Sequence, residues 1–195
     1  PLVVAGIVAG ATDASAQKPP PAAAASRHGL HVENGVLLKG GEPYRAIGVN
    51  YFDAFYAVIK NPETAAYRKG FRELREEYDI PFIRFNAGGF WPKEWDLYRT
   101  DKERYFELFD AFVAEAETVG LGLIPSLFWH CTVVPDLVGE HQDQWVNPDS
   151  RTHEFMRTYT REVVTRYRES PAILAWEFGN EFTNQADLPG KEQGI

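Results

Sequence analysis

The stretch DKERYFELFDAFVAEAETVGLGLIPSLF, residues 101–128, places a helix and a strand in direct succession. Asp101 is a good N-cap, because its carboxylate can accept from an orphan N–H of the first turn. Tyr105, Leu108, Phe109, Phe112 and Ala116 recur at spacings of three and four, which lines one apolar helix face. Gly120 is a helix stop. Leu121–Phe128 is then a short apolar strand, weakened at Pro125, which has no ladder donor.

The same alternation runs outward in both directions. Upstream, Ile80–Phe85 is an apolar strand. Before it, Asn61-Pro62-Glu63 carries the signature of a helix start, with Tyr67, Phe71, Leu74 and Tyr78 on one face. Downstream, Asn147-Pro148-Asp149 opens a helix with Phe155, Tyr159, Val163 and Tyr167 inward, and Ile173–Phe178 follows as a strand. At the start, Leu30–Glu33 and Val36–Lys39 flank Asn34-Gly35, a strong hairpin signal. Gly40-Gly41-Glu42-Pro43 is a turn, and Tyr44–Tyr51 a strand. Strands separated by helices argue for an α/β fold with a parallel sheet.

The chain has 195 residues, 20 Lys+Arg against 28 Asp+Glu, and a net charge of -8, which argues against a nucleic-acid partner. At 44% hydrophobic it has the composition of a folded protein. A single cysteine, Cys131, excludes an internal disulfide framework. Residues 1–16 resemble the tail of a secretory signal peptide, with Ala14-Ser15-Ala16 as the cleavage signal; 17–29 is a Pro/Ala-rich linker, and 30–195 is the folded part. A secreted or periplasmic protein with no stable membrane association after cleavage is expected.

Polar and aromatic residues gather where each strand ends: Asn50-Tyr51-Phe52-Asp53, Arg84-Phe85-Asn86, Trp129-His130-Cys131 and Gly179-Asn180-Glu181. Ligands of parallel α/β proteins bind at that end. Arg84 lies inside an apolar strand, where a charge needs a partner. No phosphate loop, Gly-x-Gly-x-x-Gly fingerprint, His-Glu-x-x-His zinc motif or Gly-x-Ser-x-Gly elbow is present. No cofactor and no metal site are expected, and Cys131 reads as a buried, inert thiol.

Ala175-Trp176-Glu177-Phe178-Gly179-Asn180-Glu181 resembles the fourth strand of clan A glycoside hydrolases. Arg45–Asn50, Ile83-Arg84-Phe85 and Phe128-Trp129-His130 are similar to the first three strands of family 5, the cellulase and mannanase family. The resemblance implies the N-terminal half of a (β/α)8 barrel and a retaining glycosidase acting on a β-linked polysaccharide. It implies Glu181 as general acid/base, Asn180 as a hydrogen-bond partner of the sugar 2-hydroxyl, and Arg84 and His130 as groups that hold the pocket's charges and hydrogen bonds in place. Asn50, Tyr51, Phe52, Asn86, Trp91 and Trp129 are candidate substrate contacts. Glu177 is expected to be structural. The family's nucleophile, a Glu at the end of the seventh strand, has no counterpart here, so the chain alone is expected to be inactive. A half-barrel, with its open edges, is also expected to self-associate. A non-catalytic carbohydrate-binding or scaffold protein, another clan A glycosidase such as a β-galactosidase or β-mannosidase, and a doubly wound protein with an unrelated ligand remain alternatives.

Overall fold

The computed structural model describes residues 29–180 and 182. The signal-like and linker segments, residues 1–28, and Glu181 lie outside them. A three-stranded antiparallel sheet comes first: β1 (Leu30–Glu33), β2 (Val36–Lys39) and β3 (Glu42–Pro43). Asn34 and Gly35 both take positive φ (51° and 78°), as the two-residue turn requires. The second turn closes at Gly40-Gly41, which leaves Glu42-Pro43 as a strand beside β2 rather than as part of the turn.

Four parallel strands follow in the order β4 (Val49–Asn50), β5 (Phe82–Asn86), β6 (Gly122–Phe128), β7 (Glu177–Gly179). Spatial order equals chain order, with helical crossovers between strands, as in one arc of a barrel. The expected strand over 44–51 shrinks to its last residues. Gly48 is tight there: a Cβ would sit 2.2 Å from the Phe82 ring.

Helix boundaries moved where a cap signal was misassigned. An additional helix, α1 (Ala54–Lys60), has no side-chain cap and so no start signal in the sequence; it is held by burial of Ala54, Phe55 and Val58. Asn61, expected to open a helix, closes α1 instead, and α2 begins later, at Ala66–Arg72. A π-helical turn, Glu73–Glu77, continues it. The short α3 (Asp96–Thr100) precedes α4 (Lys102–Val119), which is capped by Asp101 accepting from Arg104 N and stopped by Gly120 at φ 68°, as expected. After β6 come α5 (Val133–Val138) and α6 (Arg151–Tyr167). Asn147 makes a turn to Asp149, and Ser150, not Asn147, caps α6.

Aromatic rings fill the layer between sheet and helices. Phe55 stacks on Phe109 (centroids 4.4 Å apart), and Phe112 meets Phe71 and Phe85 at 4.9 Å each. All five are fully buried. Burying such rings is the main favourable term holding helices to sheet.

Pro125 leaves a mark on the last strand. Leu123 pairs with Ile173, an offset of 50, but Ser126 pairs with Glu177, an offset of 51. One extra residue enters opposite the position that lacks an N–H, a bulge. The expected strand over 173–178 is thereby reduced to Glu177–Gly179 plus the bridge at Ile173.

Glu140 clamps the start of α6. Its carboxylate accepts from Thr152 N and Oγ1 (2.8 Å each) and from Arg151 N (3.0 Å). Desolvation opposes ionisation, but the donors from Thr152 and Arg151 outweigh it and hold the carboxyl near 2, against 4.5 ordinarily. A depressed folded-state value means stability that is present above about pH 4.5 and lost as pH falls toward 2. Glu140→Gln should therefore flatten the acid side of the stability profile in that window, read as urea midpoints against pH; an unchanged profile would remove the clamp from the acid-stability account.

Candidate active site

Residues at or just after the C-terminal ends of the four parallel strands gather on one side, and Arg84 of β5 ties β4 and β7 together. β5 alternates: Ile83 and Phe85 are buried in the core, while Arg84 projects to the opposite face. Its guanidinium forks onto Glu177 of β7, Nε to Oε2 at 2.7 Å and Nη2 to Oε1 at 3.0 Å. Nη2 also donates to Asn180 Oδ1 at 2.9 Å, and Nη1 to Asn50 Oδ1 at 3.3 Å. The Phe52 ring lies under the guanidinium, 4.4 Å from its carbon. One cation thus holds side chains from β4, β7 and the loops after both. Arg84 and Glu177 are 23% and 33% exposed, so the pair is partly screened by water, but the two-pronged geometry fixes orientation as well as charge.

An aromatic wall borders this network. Trp129 packs on Phe52 (5.2 Å) and Phe90 (5.1 Å), and Phe90 on Phe52 (5.8 Å). Trp91 stands beyond it, 56% exposed. His130, next to Trp129, is half-buried; its Nδ1 faces the Thr132 hydroxyl at 3.0 Å and the Thr132 N–H at 3.4 Å. Asn180 is fixed at its backbone too, by donation to Phe128 O at 3.1 Å.

In an alignment of 113 positions that covers 46% of the chain and 27% of the relative, the chain is 33% identical to mannan endo-1,4-beta-mannosidase 1 of Solanum lycopersicum. Over 78 residues it is 36% identical to mannan endo-1,4-beta-mannosidase A of Podospora anserina, covering 21% of it. The structure superposes on a glycoside hydrolase family 5 mannosidase from Rhizomucor miehei with a TM-score of 0.57 at 15% identity, over 80% of this chain and 49% of that one. The chain is related to glycoside hydrolase family 5. A β-glucanase from Saccharophagus degradans, solved with cellotetraose, shares the fold as well, with a TM-score of 0.56 at 17% identity over 80% of this chain and 43% of the other. No family model matches the chain. It spans about a quarter of the first of these curated relatives and under half of the solved chains.

Within that family fold, the residues expected at the site divide. Arg84, Asn180, Asn50, Phe52 and Trp129 come together in one network, and His130 follows Trp129 at the same strand end. Glu181 falls outside the described residues. Two expected substrate contacts are placed elsewhere. Tyr51 is turned onto α2, where its ring lies against Gly70, and it meets Phe71 edge-on at 6.5 Å. Asn86 is fully buried and donates to Gly88 O at 3.1 Å, holding the loop from behind. Phe90 was missed; an aromatic residue just after Gly88-Gly89, at a strand end, was the available signal. Among the described residues no cluster of His, Cys, Asp and Glu could hold a metal ion, and no helix is long and apolar enough to cross a membrane.

Cys131 is fully buried, and burial pushes its thiol up to about 11. Thiolate is the reactive form, so the group is inert. At pH 8 Ellman's reagent should find no reactive thiol in the native protein and one per chain in guanidinium chloride; rapid native labelling would reopen a nucleophilic role.

Proposed function

We propose that this chain supplies the acid/base half of a family 5 glycosidase that cleaves β-linked polysaccharide, β-mannan first, with retention of configuration. The observation that carries the reading is the Arg84 fork. It anchors Asn180 by its amide oxygen, at 2.9 Å, which leaves the amide nitrogen as the end able to donate to a sugar hydroxyl. Glu181, the next residue, is the general acid/base: it protonates the leaving oxygen, then takes a proton from the attacking water. Glu177 is not the acid, because both of its oxygens are engaged by Arg84. The preference for mannan rests on the curated relatives, all mannan endo-1,4-beta-mannosidases.

A retaining mechanism needs a second carboxylate roughly 5–5.5 Å from the first, to attack the anomeric carbon. Among the described residues the carboxylates near the strand ends are Glu177, engaged by Arg84, and Asp53, an exposed residue at the start of α1. The proposal takes the nucleophile from a later strand, as the family resemblance implies, and with it that the 195-residue chain alone is inactive and self-associating. Trp129, Phe52 and Trp91 are the stacking groups for sugar rings. Export to a secreted or periplasmic location, by a signal ending at Ala16, belongs to the same proposal.

In the longer protein, Glu181→Ala should lower hydrolysis of unactivated β-mannan by roughly 10²–10⁴-fold. Full activity in that variant would take Glu181 out of the acid/base role. Hydrolysis of β-mannan or β-glucan by the purified 195-residue chain would overturn the assignment of the nucleophile.

A further inference from the structure

We propose that the buried hydroxyls of Tyr105 and Tyr159 are positioning groups that set the aromatic rim of the substrate cleft through the carbonyl of Ala87. The inference rests on the glycosidase reading of the strand ends. Tyr105 lies on α4 and Tyr159 on α6, and both are essentially fully buried. Their hydroxyl oxygens stand 2.6 Å and 2.5 Å from Ala87 O and 2.7 Å from each other. Three oxygens share two hydroxyl protons. One contact is always without a proton, and either hydroxyl alone can satisfy the carbonyl. Burial raises both phenols above their ordinary value, so they remain proton donors.

Ala87 begins the loop after β5, and that loop is held along its length. Ala87 N donates to Ser126 O at 2.8 Å, and Asn86 Nδ2 to Gly88 O at 3.1 Å. Gly88 and Gly89 lie beneath Trp95, where a Cβ would come within 2.4 Å and 2.9 Å of its ring. Glu94 Oε2 accepts from Phe90 N at 2.8 Å and Trp91 N at 3.0 Å. The loop ends on the two rim aromatics: Phe90 in the wall with Phe52 and Trp129, and Trp91 exposed beside it. Among the described residues, the hydrogen bonds that reach this loop from the long helices α4 and α6 are those of the tyrosine pair. Phenylalanine would fill the same volume, so what these positions add over their aromatic neighbours is a pair of donors for one carbonyl. With neither, Ala87 O is a buried acceptor without a partner, and the loop must shift to satisfy it.

The test compares Tyr105→Phe, Tyr159→Phe and the double variant in the longer protein, with mannohexaose as substrate. Because one hydroxyl suffices, each single variant should keep KM within about twofold. The double variant should raise KM roughly tenfold with kcat changed less than about threefold, the signature of lost binding rather than lost chemistry. Trp91→Ala should raise KM in the parent background and add nothing in the double variant, since coupled groups are not additive. If the double variant does not fold, Gly88→Ala, which forces the loop off Trp95 with both hydroxyls intact, should give the same split. A double variant, or Gly88→Ala, that loses thermal stability but keeps the parent KM would overturn the proposal, as would full loss in each single variant. A parent protein inert toward both mannohexaose and cellohexaose would defeat the glycosidase reading and this inference with it; a parent active on cellohexaose alone is compared with its variants on that substrate.

Discussion

A guanidinium on the inner face of a parallel sheet loses much of its hydration, and only a partner with matching geometry offsets that cost. Arg84 has one in Glu177, two strands away, and the forked contact fixes more than a charge. It sets the distance between β5 and β7 across β6, holds the amide of Asn180, and gives the Phe52 ring a cation to sit beneath. Removing either partner would leave the other unmatched on a half-buried surface. The strand ends are therefore coupled: loops that look separate in sequence answer to one ion pair.

The helical layer supplies the stiffness that this pair needs. Phe55, Phe85, Phe109 and Phe112 lock α1 and α4 onto β5, so the face bearing Arg84 has little freedom to tilt. Two polar groups in that layer are held by named partners. Glu115, on α4, is met by Arg72 at 2.8 Å and Arg68 at 3.4 Å, and the two tyrosine hydroxyls converge on Ala87.

Much of this was legible in the residues. The period of α4, its Asp cap and Gly stop, and the apolar runs on either side give the alternating architecture directly. Arg84 announced a need for a counter-charge, and Glu177, read as structural, is that counter-charge. The failures share a cause: a residue type suited to one local role was used in another. Asn61 has the preferences of a cap, and it ends a helix that has no cap of its own and is held by burial of Ala54, Phe55 and Val58. Tyr51 follows Asn50 at a strand end and is turned onto α2, whereas Asn86 shares the Arg84 face of β5 but is buried there and held to Gly88 O, and no local pattern reveals either. Ser150 outcompetes Asn147 because Asn147 spends its side chain on a turn to Asp149.

The register change beside Pro125 bears on which side chain meets the arginine. Had the pairing continued at the offset of 50 seen at Leu123 and Ile173, residue 176 would stand opposite Ser126, and that residue is a tryptophan. The offset of 51 puts Glu177 there instead. Parity along a strand is binary, so a single inserted residue exchanges an indole for a carboxylate across the whole end of β7. A proline with no direct part in the polar network thus selects its anion. The length of the segment between Ile173 and Glu177 is accordingly under tighter constraint than its composition: a conservative substitution there is tolerable, whereas loss of one residue would invert the strand.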